Sequence, residues 1–174
     1  NLTSQRITDF LESLGRPEST SAYFDAHVSW VRSICDDPAV LMDSTGLPSS
    51  IHFPLTAVSN HNGKISREVR MTTLVQRDTG YPLLFRITPG NIVDLSTVTR
   101  TLNELFLRDM SADFVIMDAG YYTNDNIEEL YACGVDFITR LSSKYTIYNQ
   151  IIKEHEPTLR RKENLVQYKD RYVY

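Results

Sequence analysis

The amino-acid sequence predicts an α/β domain built on one mixed sheet, with helices on both faces of that sheet. Two apolar runs, residues 40–42 and 114–117, each end abruptly at an aspartate that small residues follow. Runs of this composition are typical of strands buried on both faces. Apolar spacing elsewhere gives the order strand, strand, strand, helix, strand, helix, strand. This order predicts three antiparallel strands, followed by parallel strands that crossover helices connect.

Two helices are predicted before the first strand. Residues 4–14 carry apolar side chains at helical spacing, and Gly15 follows them as a stop signal. A second helix is expected from Pro17 to about residue 33, because proline suits a first helical turn and the apolar side chains share one side. We expect residues 1–38 to form a helical segment that packs on the core.

The core of the domain is expected within residues 39–142. Its first aspartate strand is followed by residues 46–63, which are rich in turn-forming residues and include the tight-turn signal Asn62-Gly63. Asp94 is interpreted as a helix cap, or alternatively as a residue that orders a loop near the aspartates. The other elements predicted for the core are strands at 69–76, 81–88 and 135–141, and helices at 96–107 and 123–133.

Charge is divided unevenly along the chain. Residues 1–139 carry 10 Lys and Arg against 18 Asp and Glu, whereas residues 140–174 carry 8 against 4. An acidic centre beside a basic flank suits an enzyme that handles phosphodiesters, although a solvated basic surface would give the same pattern. The candidate contacts to DNA phosphates are Arg140, Arg160, Arg161 and Lys162.

The two strand-end aspartates, Asp43 and Asp118, are the candidate metal ligands. If the first strand lies beside the second aspartate strand, both carboxylates meet at one edge of the sheet. Two adjacent carboxylates repel each other unless a positive charge lies between them. Ligation by carboxylate oxygens alone favours Mg²⁺ or Mn²⁺ over Zn²⁺. The alternative is that each aspartate only caps a local turn.

Four short motifs occur in order along the chain. Leu41-Met42-Asp43-Ser44-Thr45 and residues 115–122 (VIMDAGYY) each hold one aspartate. Residues 89–94 read PGNIVD, and residues 136–141 read DFITRL. Together they resemble the catalytic domain of bacterial insertion-sequence DDE transposases, which show a PGN-x-x-D segment, a D-x-G-Y/F strand end and an F-I-x-R strand. The resemblance covers about residues 39–142.

The resemblance implies a ribonuclease H-like sheet with Asp43 and Asp118 as catalytic metal ligands. It implies Mg²⁺ or Mn²⁺ as cofactor, with cleavage and strand transfer of DNA at transposon ends. The implied partners are the DNA of the transposon ends and of the target, and a second copy of the chain in an active homodimer. The implied location is the bacterial cytoplasm, in association with the nucleoid.

The chain departs from the family pattern at the third acidic residue. The family carries a glutamate on a later helix in a Y-x-x-R-x-x-x-E pattern. Glu154, Glu156 and Glu163 lack the tyrosine and arginine at those offsets. We therefore expect the glutamate beyond Tyr174, residues 143–174 to begin a basic inserted region, and this fragment to be inactive alone.

Two other functions are compatible with the sequence. A phosphatase-type enzyme could use Asp43 as nucleophile, although residues 43–46 lack the second aspartate, two positions on, that such enzymes show. A trapped phosphoryl-aspartate would identify that function. A non-catalytic DNA-binding or assembly remnant of a transposase is the other alternative, and a gene that stops near Tyr174 would favour it.

Overall fold

The computed structural model of the 174-residue chain describes residues 3–48, 54–61, 64–92 and 97–173. The predicted Asn62-Gly63 turn and the predicted cap at Asp94 lie outside these residues. The chain divides into two compact units, residues 1–139 and residues 140–174.

Both predicted N-terminal helices are confirmed, but they differ in how much they bury. Helix α1 (Ser4–Leu14) is capped by Thr3, whose side chain accepts a hydrogen bond from the Arg6 amide, and none of its residues is buried. Helix α2 (Pro17–Ile34) buries Phe24, Val28 and Val31 in the core of the first unit. The second helix therefore belongs to the core, whereas the apolar side of α1 remains exposed.

One six-stranded sheet forms the centre of the first unit. Its strands are β1 (Ala39–Pro48), β2 (Ala57–His61), β3 (Lys64–Gln76), β4 (Pro82–Pro89), β5 (Phe114–Met117) and β6 (Asp136–Thr139). The path β3-β1-β5-β6 runs through the sheet, and both β2 and β4 pair with β3. Pairs among β1 to β4 are antiparallel, and the pairs β1–β5 and β5–β6 are parallel. The predicted α/β class and mixed sheet, with β1 beside the second aspartate strand, are confirmed.

The structure contains more strand than the sequence predicts between the first aspartate and the β3–β4 turn. The prediction of turns throughout residues 46–63 is wrong for the end of β1 and for β2. The long strand β3 explains the difference, because Glu68 pairs with Pro48 on β1 and with Ala57 on β2. Pairing with a neighbouring strand outweighs the local turn preference of Gly46 and Pro48.

Two further helices contribute to the core of the first unit. They are α3 (Val98–Phe106) and α4 (Asn124–Ala132). Helix α3 supplies the buried side chains of Val98, Leu102 and Leu105, which join Val40, Met42, Leu74, Val115 and Met117 in one apolar cluster. Since side chains alternate along a strand, these apolar strand residues lie on one face of the central strands, the covered face. The residues between them lie on the opposite face, the open face.

An arginine after β3 ties the β3–β4 turn to the start of β1. The Arg77 guanidinium pairs with Asp37 and donates to Asp78 Oδ1 at 2.8 Å. The hydrogen bond from Arg77 lowers the pKa of Asp78 below its ordinary value. The Arg77 amide also donates to the Ala39 carbonyl at 3.0 Å, so the first residue of β1 is fixed by the backbone.

In its described residues, the second unit comprises one helix and one hairpin. Helix α5 (Thr146–Leu159) is followed by a short 3₁₀ turn, Lys162–Asn164. Strands β7 (Val166–Tyr168) and β8 (Arg171–Val173) pair antiparallel with each other. Among the helices in the described ranges, none is long and apolar enough to cross a membrane.

Candidate metal centre

The register of β1 and β5 places Asp43 and Asp118 at equivalent positions. The parallel pairing ends with Met42 beside Met117, and each aspartate is the next residue of its chain segment. Met42 and Met117 lie on the covered face, so alternation turns both aspartates toward the opposite face. Both aspartates are exposed. Two carboxylates therefore share one open face at the ends of neighbouring strands.

Each carboxylate is held in the same way by the backbone that follows it. The Ser44 amide donates to Asp43 Oδ1 at 2.8 Å, and the Ala119 amide donates to Asp118 Oδ1 at 2.6 Å. An ionised carboxylate has two oxygens and about four acceptor positions. One backbone hydrogen bond thus orients each carboxylate and leaves it capacity for further ligands.

The backbone at Asp118 is anchored by two later elements of the first unit. Asp118 begins a 3₁₀ turn, Ala119–Tyr121, and its carbonyl accepts a hydrogen bond from Thr139 Oγ1 of β6 at 3.1 Å. The Tyr121 carbonyl accepts one from Asn126 Nδ2 of α4 at 2.8 Å. Strand β6 and helix α4 therefore fix the turn that carries the second aspartate.

The donor set fits part of a site for a hard divalent cation. Mg²⁺ is commonly bound through one or two carboxylates, with waters and phosphate oxygens completing its coordination. Asp43 and Asp118 supply carboxylate oxygens on an open face. In the part of the chain that the structure describes, no group of three or more His, Cys, Asp or Glu is arranged to hold a metal ion. The described residues thus provide two carboxylates and no third.

A polar network behind β1 was not predicted from the sequence. Arg70 Nη1 donates to Ser44 Oγ at 3.3 Å, and Arg70 Nη2 lies 3.5 Å from Glu68 Oε1. Ser66 Oγ donates to Glu68 Oε2 at 3.3 Å. Glu68 and Arg70 are both buried. The polar alternation of Glu68, Arg70 and Thr72 was visible in the sequence, but nothing in it showed that this side of β3 is covered.

The predicted DNA contacts all lie in the second unit. Arg140 is its first residue, and Arg160, Arg161 and Lys162 lie at the junction of α5 and the following 3₁₀ turn. All four side chains are exposed. Arg161 Nη1 lies 3.6 Å from Glu163 Oε1, and such an exposed pair contributes little to stability. These arginines and the lysine remain predicted contacts.

A family model described as "Transposase DDE domain" matches residues 34–173. The chain belongs to this family. The match includes both aspartates and nearly all of the second unit. It confirms the resemblance to DDE transposases read from the four motifs, and it favours a transposase over a phosphatase that uses Asp43 as nucleophile.

Solved structures of transposases are similar to this DDE domain at low sequence identity. A piggyBac transposase synaptic complex with hairpin DNA matches 77% of this chain with 11% identity and a TM-score of 0.47. The Mos1 transposase paired-end complex with the left transposon end matches 88% with 10% identity and a TM-score of 0.41. The chain spans 26% of the piggyBac chain and 57% of the Mos1 chain. No curated protein sequence matches it significantly.

Proposed function

We propose that this DDE domain takes part in cutting DNA at transposon ends and in transferring the cut strand to target DNA. The observation that carries the proposal is the placement of Asp43 and Asp118 at equivalent ends of β1 and β5, within a match to the transposase DDE domain. Both carboxylates are exposed on one face of the sheet. This exposure is what the proposal requires for contact with a DNA phosphate.

In this proposal Asp43 and Asp118 hold Mg²⁺ or Mn²⁺. A divalent ion bound there would stabilise charge on phosphate oxygens and lower the pKa of water. The Ser44 and Ala119 amides keep one oxygen of each carboxylate oriented. Thr139 and Asn126 hold the Asp118 turn in place. The chain thus contributes two fixed anionic ligands, and a third carboxylate would complete the set that the family uses.

The proposed partner is DNA, bound in part by the basic second unit. Exposed arginine and lysine side chains release counterions from the phosphate backbone when they bind to it. The proposal also includes a homodimer in the active complex and a cytoplasmic, nucleoid-associated location in bacteria. These follow from the family resemblance. The contacts proposed are Arg140, Arg160, Arg161 and Lys162.

A Mn²⁺ titration followed by NMR tests the metal centre. Mn²⁺ is paramagnetic, so a bound ion broadens the amide signals of Ser44 and Ala119 before those of distant residues. We expect Asp43→Asn and Asp118→Asn to abolish this broadening at Mn²⁺ concentrations that broaden the parent signals, because each removes an anionic ligand.

Asp136→Asn is the matched control for this titration. Asp136 is an exposed acid at the start of β6. It pairs with Phe114, the first residue of β5, and so lies at the opposite end of the strand from Asp118. Its substitution changes the net charge by the same amount and should leave the broadening unchanged. The proposal is wrong if Asp43→Asn broadens like the parent.

A further inference from the structure

The first unit contains a buried ion pair that the proposed chemistry does not use. Glu68 is 5% exposed and Arg70 is 8% exposed, and both side chains extend from β3. Burying two charges costs more free energy than their attraction commonly returns, so a buried pair is weak evidence for a stabilising role. The presence of this buried pair therefore requires an explanation other than stabilisation of the fold.

Two glycines make room for the Glu68 side chain. A Cβ atom at Gly46 would lie 2.6 Å from Glu68 Oε2, and one at Gly90 would lie 2.8 Å from Glu68 Cγ. Gly46 closes the stretch that begins with Asp43, and Gly90 belongs to the Pro-Gly-Asn motif. Two motifs that are far apart in sequence thus converge on one carboxylate.

The buried pair is connected to the first aspartate through one residue. Arg70 donates to the Ser44 hydroxyl at 3.3 Å, and the Ser44 amide donates to Asp43 Oδ1 at 2.8 Å. Side chains alternate along β1, so Ser44 contacts Arg70 on the covered face while Asp43 extends from the open face. Ser44 is therefore held at its hydroxyl and orients the Asp43 carboxylate with its amide.

We propose that Glu68 and Arg70 are positioning residues for Asp43, which they orient through Ser44 from the covered face of the sheet. Glu68 fixes the guanidinium, and the guanidinium fixes the Ser44 hydroxyl. This inference rests on the proposed function for the role of Asp43 as a ligand. The contacts themselves do not require a metal.

The test measures hydrogen exchange of the Ser44 amide relative to the Ala119 amide in the metal-free chain by NMR. The two amides make the same hydrogen bond to the two aspartates, so Ala119 reports any general loss of stability. Arg70→Lys keeps the charge but lacks the planar fork of donors. We expect Arg70→Lys and Glu68→Gln to raise the Ser44-to-Ala119 exchange ratio about fivefold, as for one weakened hydrogen bond.

Two further variants keep the test decisive. Glu104→Gln weakens a different ion pair, that of Glu104 on α3 with Arg86 on β4, and should leave the ratio unchanged. Ser44→Ala removes the hydroxyl that accepts the hydrogen bond from Arg70 Nη1, with little change in volume, and should raise the exchange ratio of the residue 44 amide to the Ala119 amide even if the Arg70 and Glu68 variants do not fold. An unchanged ratio in folded Arg70→Lys, or in Ser44→Ala, overturns the inference.

A Mn²⁺ titration of the same samples separates the two proposals. Absence of specific broadening in the parent chain would overturn the metal centre, while the exchange ratio would still decide the positioning role. Broadening in the parent that is weaker in Arg70→Lys, with Ala119 exchange unchanged, supports both. Broadening that is equal in parent and Arg70→Lys contradicts the positioning role alone.

Discussion

The close approach of β3 to the end of β4 depends on the absence of a Cβ atom at Gly90. A Cβ atom at Gly90 would lie 2.4 Å from the Glu68 backbone oxygen, which cannot move without moving β3. We expect Gly90→Ala to lower the free energy of unfolding by about 1–3 kcal/mol, the usual cost of overpacking. Urea denaturation of the parent and of Gly90→Ala measures this difference in the free energy of unfolding.

Gly15→Ala is the control for that substitution. Gly15 has a φ of −76°, and its nearest Cβ contact would be an ordinary 3.5 Å. We expect this variant to be as stable as the parent or more stable by about 0.4–1 kcal/mol, because alanine restricts the unfolded chain. Equal stability of Gly90→Ala and Gly15→Ala would show that Gly90 is not needed for the close approach.

The sequence identified some residues of the candidate site and not others, for a physical reason. Asp43 and Asp118 could be found because a charge that ends an apolar run is conspicuous. Glu68 and Arg70 alternate with apolar residues, which predicts polar side chains that face solvent. Their burial depends on what packs over that part of β3, and the strand's own sequence does not contain this information.

Helices of similar pattern can have different roles, and α1 and α2 show this. Both were predicted from apolar spacing, yet Val31 of α2 is fully buried and Leu11 of α1 is 60% exposed. We expect Val31→Ala to cost about 2 kcal/mol of stability, from reduced burial and an unfilled cavity. Leu11→Ala should change stability by less than about 0.5 kcal/mol.

Thermal unfolding of the two variants, followed by circular dichroism, checks this difference. A large loss of stability in Leu11→Ala would mean that α1 packs on the first unit after all. The sequence could predict that both helices form, since spacing and stop signals are local. The sequence could not predict which of the two helices is buried against the core. That burial depends on residues distant in the chain, such as Leu83 and Leu84.

The sequence predicts strands where the apolar pattern is strong. It does not predict the strand segments that form only because they pair with a neighbouring strand. Strands β5 and β6 lie within one or two residues of their predicted bounds. Strand β2 and the last residues of β1 carry glycine, proline and polar residues, and they are strands because β3 extends far enough to pair with both. Such long-range pairing leaves no local signal.

Across the whole chain, the two compact units carry opposite charge. Acidic residues predominate in residues 1–139 and basic residues in residues 140–174. We expect replacement of Arg160, Arg161 and Lys162 by alanine to weaken binding of duplex DNA. The slope of log affinity against log salt concentration should become shallower by about 0.9 for each DNA phosphate that the variant no longer neutralises.

Fluorescence anisotropy over a series of salt concentrations measures that slope. Arg100→Ala is the control, because Arg100 is an exposed cation of α3 in the acidic unit. Its substitution should leave the slope nearly unchanged. If the triple variant keeps the parent slope, the basic charge of the second unit is only a solvated surface.

The register between β1 and β5 also determines which changes of chain length the domain can tolerate. A one-residue insertion or deletion within residues 40–43 or 115–118 would turn one aspartate toward the apolar cluster and a methionine toward solvent. Added residues in the connection 107–113 would leave the pairing intact. Length variation among functional variants is therefore expected to be confined to connections, with the spacing inside both aspartate strands unchanged.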